Sequence, residues 1–190
     1  MTKKIWEMSA LQAYELLKKK EISASEILEI SIERIEEVDG DLNALPERCF
    51  ARAKEVAKNI DKNSSKKIQP NLLGLPIAVK DYNDLSGVPT TYGSTIFNNN
   101  IPQNSDRTIK LLERNGANPI AKSNVPEWAG GHTFNPVNGL TRNPWDISKS
   151  AGGSSGGSAS ALASGQIFLA TGNDLGGSLR TPAGFKELWV

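Results

Sequence analysis

The stretch AGGSSGGSASALASG, residues 151–165, constrains the fold more than any other part of this chain. Glycine and serine at this density leave three readings: a tether, a loop that cradles an anion, or a wall pressed against other elements. A tether joins two foldable units and has no structural continuation of its own. Here SASALASG continues as a small-residue helix at about 156–164, Gly165 is placed to stop it, and a buried-looking strand, IFLAT, follows. A glycine loop that opens a helix offers backbone N–H groups and a positive dipole end to an anion. GGSSGGS matches neither G-x-G-x-x-G nor G-x-x-x-x-G-K-[ST], however, and the nearest upstream lysine, Lys149, is on the wrong side of the loop.

The N-terminal third reads as helical. Ser9 with Gln12 and Ser23 with Glu26 have capping-box spacing and mark two helix starts. Leu28, Ile32 and Ile35 give the second helix one apolar stripe, and Phe50, Ala53, Ala57 and Ile60 repeat the pattern on a third. Cys49 sits in that helical pattern as a packing residue. DKNSSKKIQPN (61–71) is polar and aperiodic, a surface loop. From Leu72 the character changes. LLGLPIAVKD places Ile77 and Val79 just before Lys80, as a strand ending on a charge would. SDRTIKLLERNG (105–116) is a helix with Ser105 or Asp106 as cap and Gly116 as stop. NPIAKS reads as a short strand, residues 123–150 have turn chemistry throughout, and IFLAT leads into a second glycine turn, GNDLGGS. Strand–helix–strand alternation behind a helical section predicts an α/β architecture.

Composition narrows the function. Lysine plus arginine is 22 against 21 acidic residues, a net charge of +1 with no electrostatic argument for nucleic acid or an anionic membrane surface. The KKK at 18–20 and the KK at 66–67 are short, solvated faces. At 190 residues and 38% hydrophobic content the chain fits one domain with a sizeable core. Its single cysteine excludes a disulfide framework and favours a reducing compartment, hence a cytoplasmic location. No segment approaches 18 consecutive apolar residues, and MTKKIWEMSALQ lacks the apolar core of a signal peptide. One histidine and one cysteine argue against a zinc site. That histidine, His132, shows no Asp or Ser pairing for a Ser–His–Asp triad and reads as a satisfied loop residue.

Two serine-bearing glycine turns and a distant lysine remain: Ser154, Ser178 and Lys80. A serine hydroxyl is a poor nucleophile until a positioned base takes its proton. A lysine can be that base near pH 7 only after its pKa falls by roughly 3 units, through desolvation and neighbours. In LGGS, glycines let backbone N–H groups converge on one point, as an oxyanion site needs. From Ser9 to Phe185 the chain resembles the amidase signature family of serine amide hydrolases. The resemblance is densest in GLPIAVKD with TTYGS, KSNVPEW, RNPWD, GGSSGGSASALASG and GNDLGGSLRTPAGF.

That resemblance implies the amidase signature fold, an α/β fold whose central mixed sheet is flanked by helices, incomplete here at the C-terminus. It implies a Ser–cis-Ser–Lys triad on Ser178, Ser154 and Lys80. Ser178 attacks the amide carbonyl, Ser154 relays the proton from a cis peptide, and Lys80 is the terminal base that later returns the proton to the leaving amine. The N–H groups of Leu175, Gly176, Gly177 and Ser178 match the family's oxyanion hole, with Asp174 and Arg180 bracing the turn as an ion pair. Ser155 and Ser158 are expected to cap the following helix, and Trp128 is a candidate for the substrate wall. No cofactor or metal is implied. The implied partner is a small-molecule amide, with no direct nucleic-acid or membrane contact, and the resemblance leaves room for a homodimer in a full-length member.

By the same resemblance, residues 1–66 are the N-terminal helical section, 67–185 the partial signature core, and 186–190 an aberrant tail. Family members continue through a Gly-Ile-Val-Gly-like turn where this chain reads KELWV. Written AAG GAA TTG TGG GTT, the tail read from its third base gives GGA ATT GTG GGT, which is Gly-Ile-Val-Gly. The expectation is a frameshifted, prematurely ended amidase, or a sequence carrying a sequencing error; the 190-residue product is expected to be poorly soluble, with little or no activity because strands that bury Lys80 are missing. Two further readings stand beside it: the amidase subunit of a glutamyl-tRNA(Gln)-type amidotransferase, which shares these motifs and needs partner subunits, and a non-catalytic truncated remnant. GGHTFNPVNGLTRNPWD is more similar to stand-alone amidases.

Overall fold

The computed structural model describes residues 4–63 and 71–188. Helices α1 (Ala10–Lys19) and α2 (Ala24–Leu42) start where the capping boxes place them. The Ser9 and Ser23 hydroxyls accept the Gln12 and Glu26 amide hydrogens, and those two side chains accept the serine N–H groups in return. After β1 (Glu47–Arg48) comes α3 (Phe50–Lys62). Leu28, Ile32 and Ile35 of α2 meet Ala53 and Ala57 of α3 in one buried cluster, with Phe50 and Ile60 at its margin. Cys49 precedes α3 instead of lying within it. Its thiol donates to the Pro119 carbonyl (3.4 Å), and burial pushes its pKa up to about 11.

Strand β2 (Pro76–Lys80) is followed by α4 (Arg107–Arg114) and β3 (Asn118–Ser123). Helix α4 is shorter than 105–116 at both ends, and neither Ser105 nor Asp106 caps it with a side chain. Both are committed elsewhere. The Ser105 hydroxyl accepts the Ser86 N–H and donates to Glu113, while the Asp106 carboxylate accepts from the Asn83 side chain and the Asp84 N–H.

Residues 123–150 are not turns throughout. They hold two antiparallel pairs, β4 (Phe134–Asn135) with β5 (Gly139–Leu140) and β6 (Arg142–Asn143) with β7 (Asp146–Ser150). The Asn135 side-chain oxygen accepts the Val137 and Asn138 N–H groups, so the turn chemistry closes the first hairpin. Then come α5 (Gly156–Ala163), β8 (Leu169–Ala170) and α6 (Arg180–Gly184). The strand expected over IFLAT shrinks to Leu169–Ala170. The Gln166 N–H still returns to the Ala161 carbonyl, and Ile167 and Phe168 are buried in two different clusters.

The main sheet has the order β1–β3–β2–β8, with β2 parallel to both β3 and β8 and β1 antiparallel to β3. Every residue of β2 and β3 is buried, as parallel strands covered on both faces require. Along β2, Ile77 and Val79 pack with Ile109 of α4, while Ala78 joins the cluster built by α2, α3 and Ala161 of α5. Side chains alternate along a strand, so Lys80 follows Ala78 onto the α5 face. The N-terminal helices and the sheet therefore share one core. The boundary between 1–66 and 67–185 falls outside the described residues, as do the lysines at 66–67 and the last two residues of the tail. Among the described residues no helix is long and apolar enough to cross a membrane.

Candidate active site

Lys80 ends β2 with no solvent exposure. Its Nζ lies 2.7 Å from Ser154 Oγ and 2.9 Å from Ser155 Oγ, and it also bonds Asn173 Oδ1. Burial brings its pKa down to about 8, against the opposing pull of the Asp174 carboxylate. The expectation that Lys80 needs further strands to be buried is overturned: the run at 151–155, α5 and the 171–173 segment enclose it. The partners limit how a neutral Lys80 amine can bond. A neutral amine has two N–H bonds and one lone pair. Asn173 Oδ1 can only accept one of those hydrogens, so the second hydrogen and the lone pair fall to the Ser154 and Ser155 hydroxyls, each of which can donate or accept.

The Gly/Ser run is a wall because its neighbours leave no room for side chains. A Cβ on Gly153 would sit 2.1 Å from the Gly131 carbonyl oxygen, and one on Gly157 would sit 2.3 Å from the Asn124 amide nitrogen. The Gly153–Ser154 peptide bond is cis, and Ser154 and Ser155 are buried. Ser155 and Ser158 do not cap α5 as expected. Ser155 faces Lys80. The Ser158 hydroxyl donates to the Thr171 carbonyl and lies 2.6 Å from Ser123 Oγ, joining α5 to the ends of β3 and β8.

The second glycine turn is organised by one carboxylate. Asp174 Oδ1 accepts the Gly177 N–H (2.7 Å), and Oδ2 accepts those of Leu179 and Arg180 (3.1 and 3.2 Å). Arg180 closes the turn with two side-chain bonds to the same carboxylate. The guanidinium first, and then the Gly177 N–H, holds Asp174 far below the usual carboxylate range. One expectation is corrected here: the Gly177 N–H points at Asp174, so it is not a free oxyanion donor. The N–H groups of Leu175, Gly176 and Ser178 have no partner among the described residues. Ser178 is anchored through its carbonyl, which accepts the Ser155 N–H (3.1 Å).

A cleft of about 520 Å³ brings Ser154, Ser178, Asn173, Gly176, Trp128 and His132 together. The Ser178 hydroxyl has no hydrogen-bond partner among the described residues, so its contact to Ser154 is not made in this conformation. His132 Nδ1 pairs with Ser150 Oγ at 2.8 Å. The tail begins packed: Lys186 is buried and donates to the Ala151 and Pro182 carbonyls, and burial lowers its pKa to about 8. Two residues on the Lys80 amine escaped sequence reasoning, Asn173 entirely and Ser155 by being read as a cap. Their only signal is that they adjoin Asp174 and Ser154. Among the described residues no group of three or more His, Cys, Asp or Glu side chains could hold a metal ion.

Comparison with known proteins adds the lineage. The Amidase family matches residues 26–189. A glutamyl-tRNA(Gln) amidotransferase subunit from Anaeromyxobacter dehalogenans (strain 2CP-C) is 41% identical over 87% of this chain and 34% of its own length. Its counterpart from Geobacillus kaustophilus (strain HTA426) is 40% identical over 95% of the chain and 38% of its own. A crystal structure of an amidase superposes with a TM-score of 0.86 at 37% identity, covering 94% of this chain and 41% of the other. The chain thus spans little more than a third of the length of the relatives it matches. With the fold, the cleft and these likenesses in agreement, the chain belongs to the amidase family and corresponds to its N-terminal portion.

Proposed function

We propose that this chain carries the Ser–Ser–Lys side of an amide-hydrolysing site, which converts a carboxylic amide to the acid plus ammonia or an amine through an acyl-enzyme on Ser178. The observation that carries this is the 2.7 Å contact between the buried Lys80 amine and the Ser154 hydroxyl, in the cleft that Ser178 also lines. The Ser178 proton passes to Ser154 Oγ as Ser154 gives its own to Lys80 Nζ, and Ser178 Oγ bonds to the carbonyl carbon. The oxyanion meets the N–H groups of Leu175, Gly176 and Ser178. Collapse breaks the C–N bond, and the proton on Lys80 returns through Ser154 to the leaving nitrogen. Water then attacks the ester through the same relay. Such relays often close fully only with substrate bound, which accounts for the unmade Ser178–Ser154 contact. With a pKa of about 8, roughly a tenth of Lys80 is neutral at pH 7.

Ammonia release from a neutral amide tests this directly. Ser178→Ala, Ser154→Ala and Lys80→Ala are each expected to cut turnover by about 10³-fold or more. Activity that survives Ser178→Ala would sink the proposal. The amidotransferase reading has its own support in the 41% and 40% identical relatives. Glutamine hydrolysis that appears only when partner subunits are added would favour it. A folded chain that turns over neither substrate would leave the non-catalytic reading. The single free cysteine supports a cytoplasmic setting for either enzyme.

A further inference from the structure

We infer that the cleft beside Ser178 takes an uncharged amide bearing a flat aromatic group, which stacks against Trp128. The inference deepens the amidase reading of the same cleft and rests on it. Trp128 stacks on Tyr92 with ring centroids 5.8 Å apart and planes 5° apart, and Phe97 meets it edge-on at 5.3 Å. Tyr92 also meets Tyr82 and Phe97 edge-on, at 5.7 and 5.2 Å. Three rings thus support Trp128 directly or through Tyr92, yet Trp128 keeps 50% of its surface exposed and lines the cleft with Tyr82. A half-exposed tryptophan on a rigid backing that also lines a cleft offers a stacking face, because aromatic pairs gain from stacking beyond the area they bury.

The backing is built at some cost. Trp128 and Ala129 are consecutive non-glycine residues in the left-handed region (φ 52° and 58°), which persists only where the surroundings over-determine it. The Trp128 N–H donates to the Tyr92 carbonyl at 3.0 Å. The Tyr92 hydroxyl donates to Asp84 at 3.1 Å, and the two residues before it are held by a buried ion pair that the proposed reaction does not use. Asp81, next to Lys80, lies 3.0 Å from Lys122 Nζ and also accepts the Thr91 N–H and hydroxyl. Lys122 donates to Thr90 Oγ1 at 2.7 Å. Both charges are buried and satisfied, so they fix the 90–92 segment across the strand ends.

The cleft's polarity selects among flat ligands. Among the described residues, none that line the cleft carries a carboxylate, ammonium or guanidinium. A zwitterionic amino acid with a side-chain amide, such as glutamine, would leave two charges without partners among these residues, whereas a benzamide or anilide leaves none. The volume of about 520 Å³ lies in the range of small-molecule sites.

Ligand-observed NMR titration of the full 190-residue chain compares benzamide, cyclohexanecarboxamide (similar in size but not flat) and glutamine. Benzamide is expected to bind about 5-fold tighter than the cyclohexyl amide, and glutamine weakest. Trp128→Ala is expected to weaken benzamide about 10-fold, with Trp128→Phe retaining most of the affinity and circular dichroism reporting the fold of each variant. Equal binding of the two neutral amides, tighter binding of glutamine, or no binding of benzamide overturns the inference. The ligand comparison in the unsubstituted chain decides this even if Trp128→Ala fails to fold. Aromatic preference without hydrolysis would sink the amidase reading alone. Hydrolysis without aromatic preference would sink the stacking inference alone.

Discussion

The two serine-bearing glycine turns have similar composition and opposite environments. The 151–158 run is packed against fixed backbone, and Ser154 and Ser155 are buried. The 173–178 turn is open: Leu175 is fully exposed, and a Cβ on Gly176 would touch nothing within 4 Å. Packing shapes the first turn, and the hydrogen bonds of Asp174 shape the second. The Lys80 side of the cleft is thereby dry and rigid, which lowers the Lys80 pKa. The Ser178 side faces the open cleft. Glycine serves close approach in the first turn; in the second, Gly176 leaves its amide free and Gly177 takes the positive φ that turns its amide to Asp174.

The sharpest way to break this contrast is to add one methyl group to each turn. In α5, Gly157→Ala gains helix propensity worth about 0.5–1 kcal/mol. It also drives a Cβ into the Asn124 and Ala44 backbone, at 2.3–2.8 Å, and backbone cannot give way as a side-chain tip can. The net loss is expected to be about 3 kcal/mol or more, read as a drop in the denaturant midpoint. Gly176→Ala should stay within about 0.5 kcal/mol. If the two variants lose similar stability, the packed and open descriptions are wrong.

Asp174→Ala removes the acceptor for three amides and the Arg180 side chain, so the 175–178 turn loses its shape while the 151–158 wall stays. Turnover is expected to fall on the order of 100-fold, as for other misplaced reacting groups, with the thermal midpoint nearly unmoved. A variant that unfolds would show that the open turn supports the fold after all. The subtler probe is Asp174→Asn, which keeps an acceptor oxygen and removes the charge. The rate should rise with pH through about 8, because the neutral amine is the active form of Lys80. The Asp174 charge favours the ammonium, so its removal should move that midpoint to lower pH. A midpoint that stays in place would mean the two turns are electrostatically uncoupled.

Local features were readable without the structure. The capping boxes of α1 and α2, the stripe Leu28, Ile32 and Ile35, and the strands ending near Lys80 and Ser123 all depend on residues within a turn or two of each other. The short hairpins between 134 and 150 were hidden because turn chemistry and strand ends overlap in segments of two residues. Motif order associated Lys80, Ser154 and Ser178 with one another, and the fold places both serines on a single cleft with Lys80 buried behind Ser154.

What the motifs did not contain is who holds the Lys80 amine, and how. Its three partners lie 74, 75 and 93 positions along the chain. No periodicity or spacing rule reaches that far. Whether Ser155 caps a helix or binds an amine, and whether the Gly177 N–H faces an oxyanion or Asp174, depends on side-chain directions set when the sheet, α5 and the two turns pack together. Helix starts follow from hydrogen bonds three residues apart, which the order of residues encodes directly. The buried, partly neutral lysine follows from desolvation, which exists only once distant segments have closed around it.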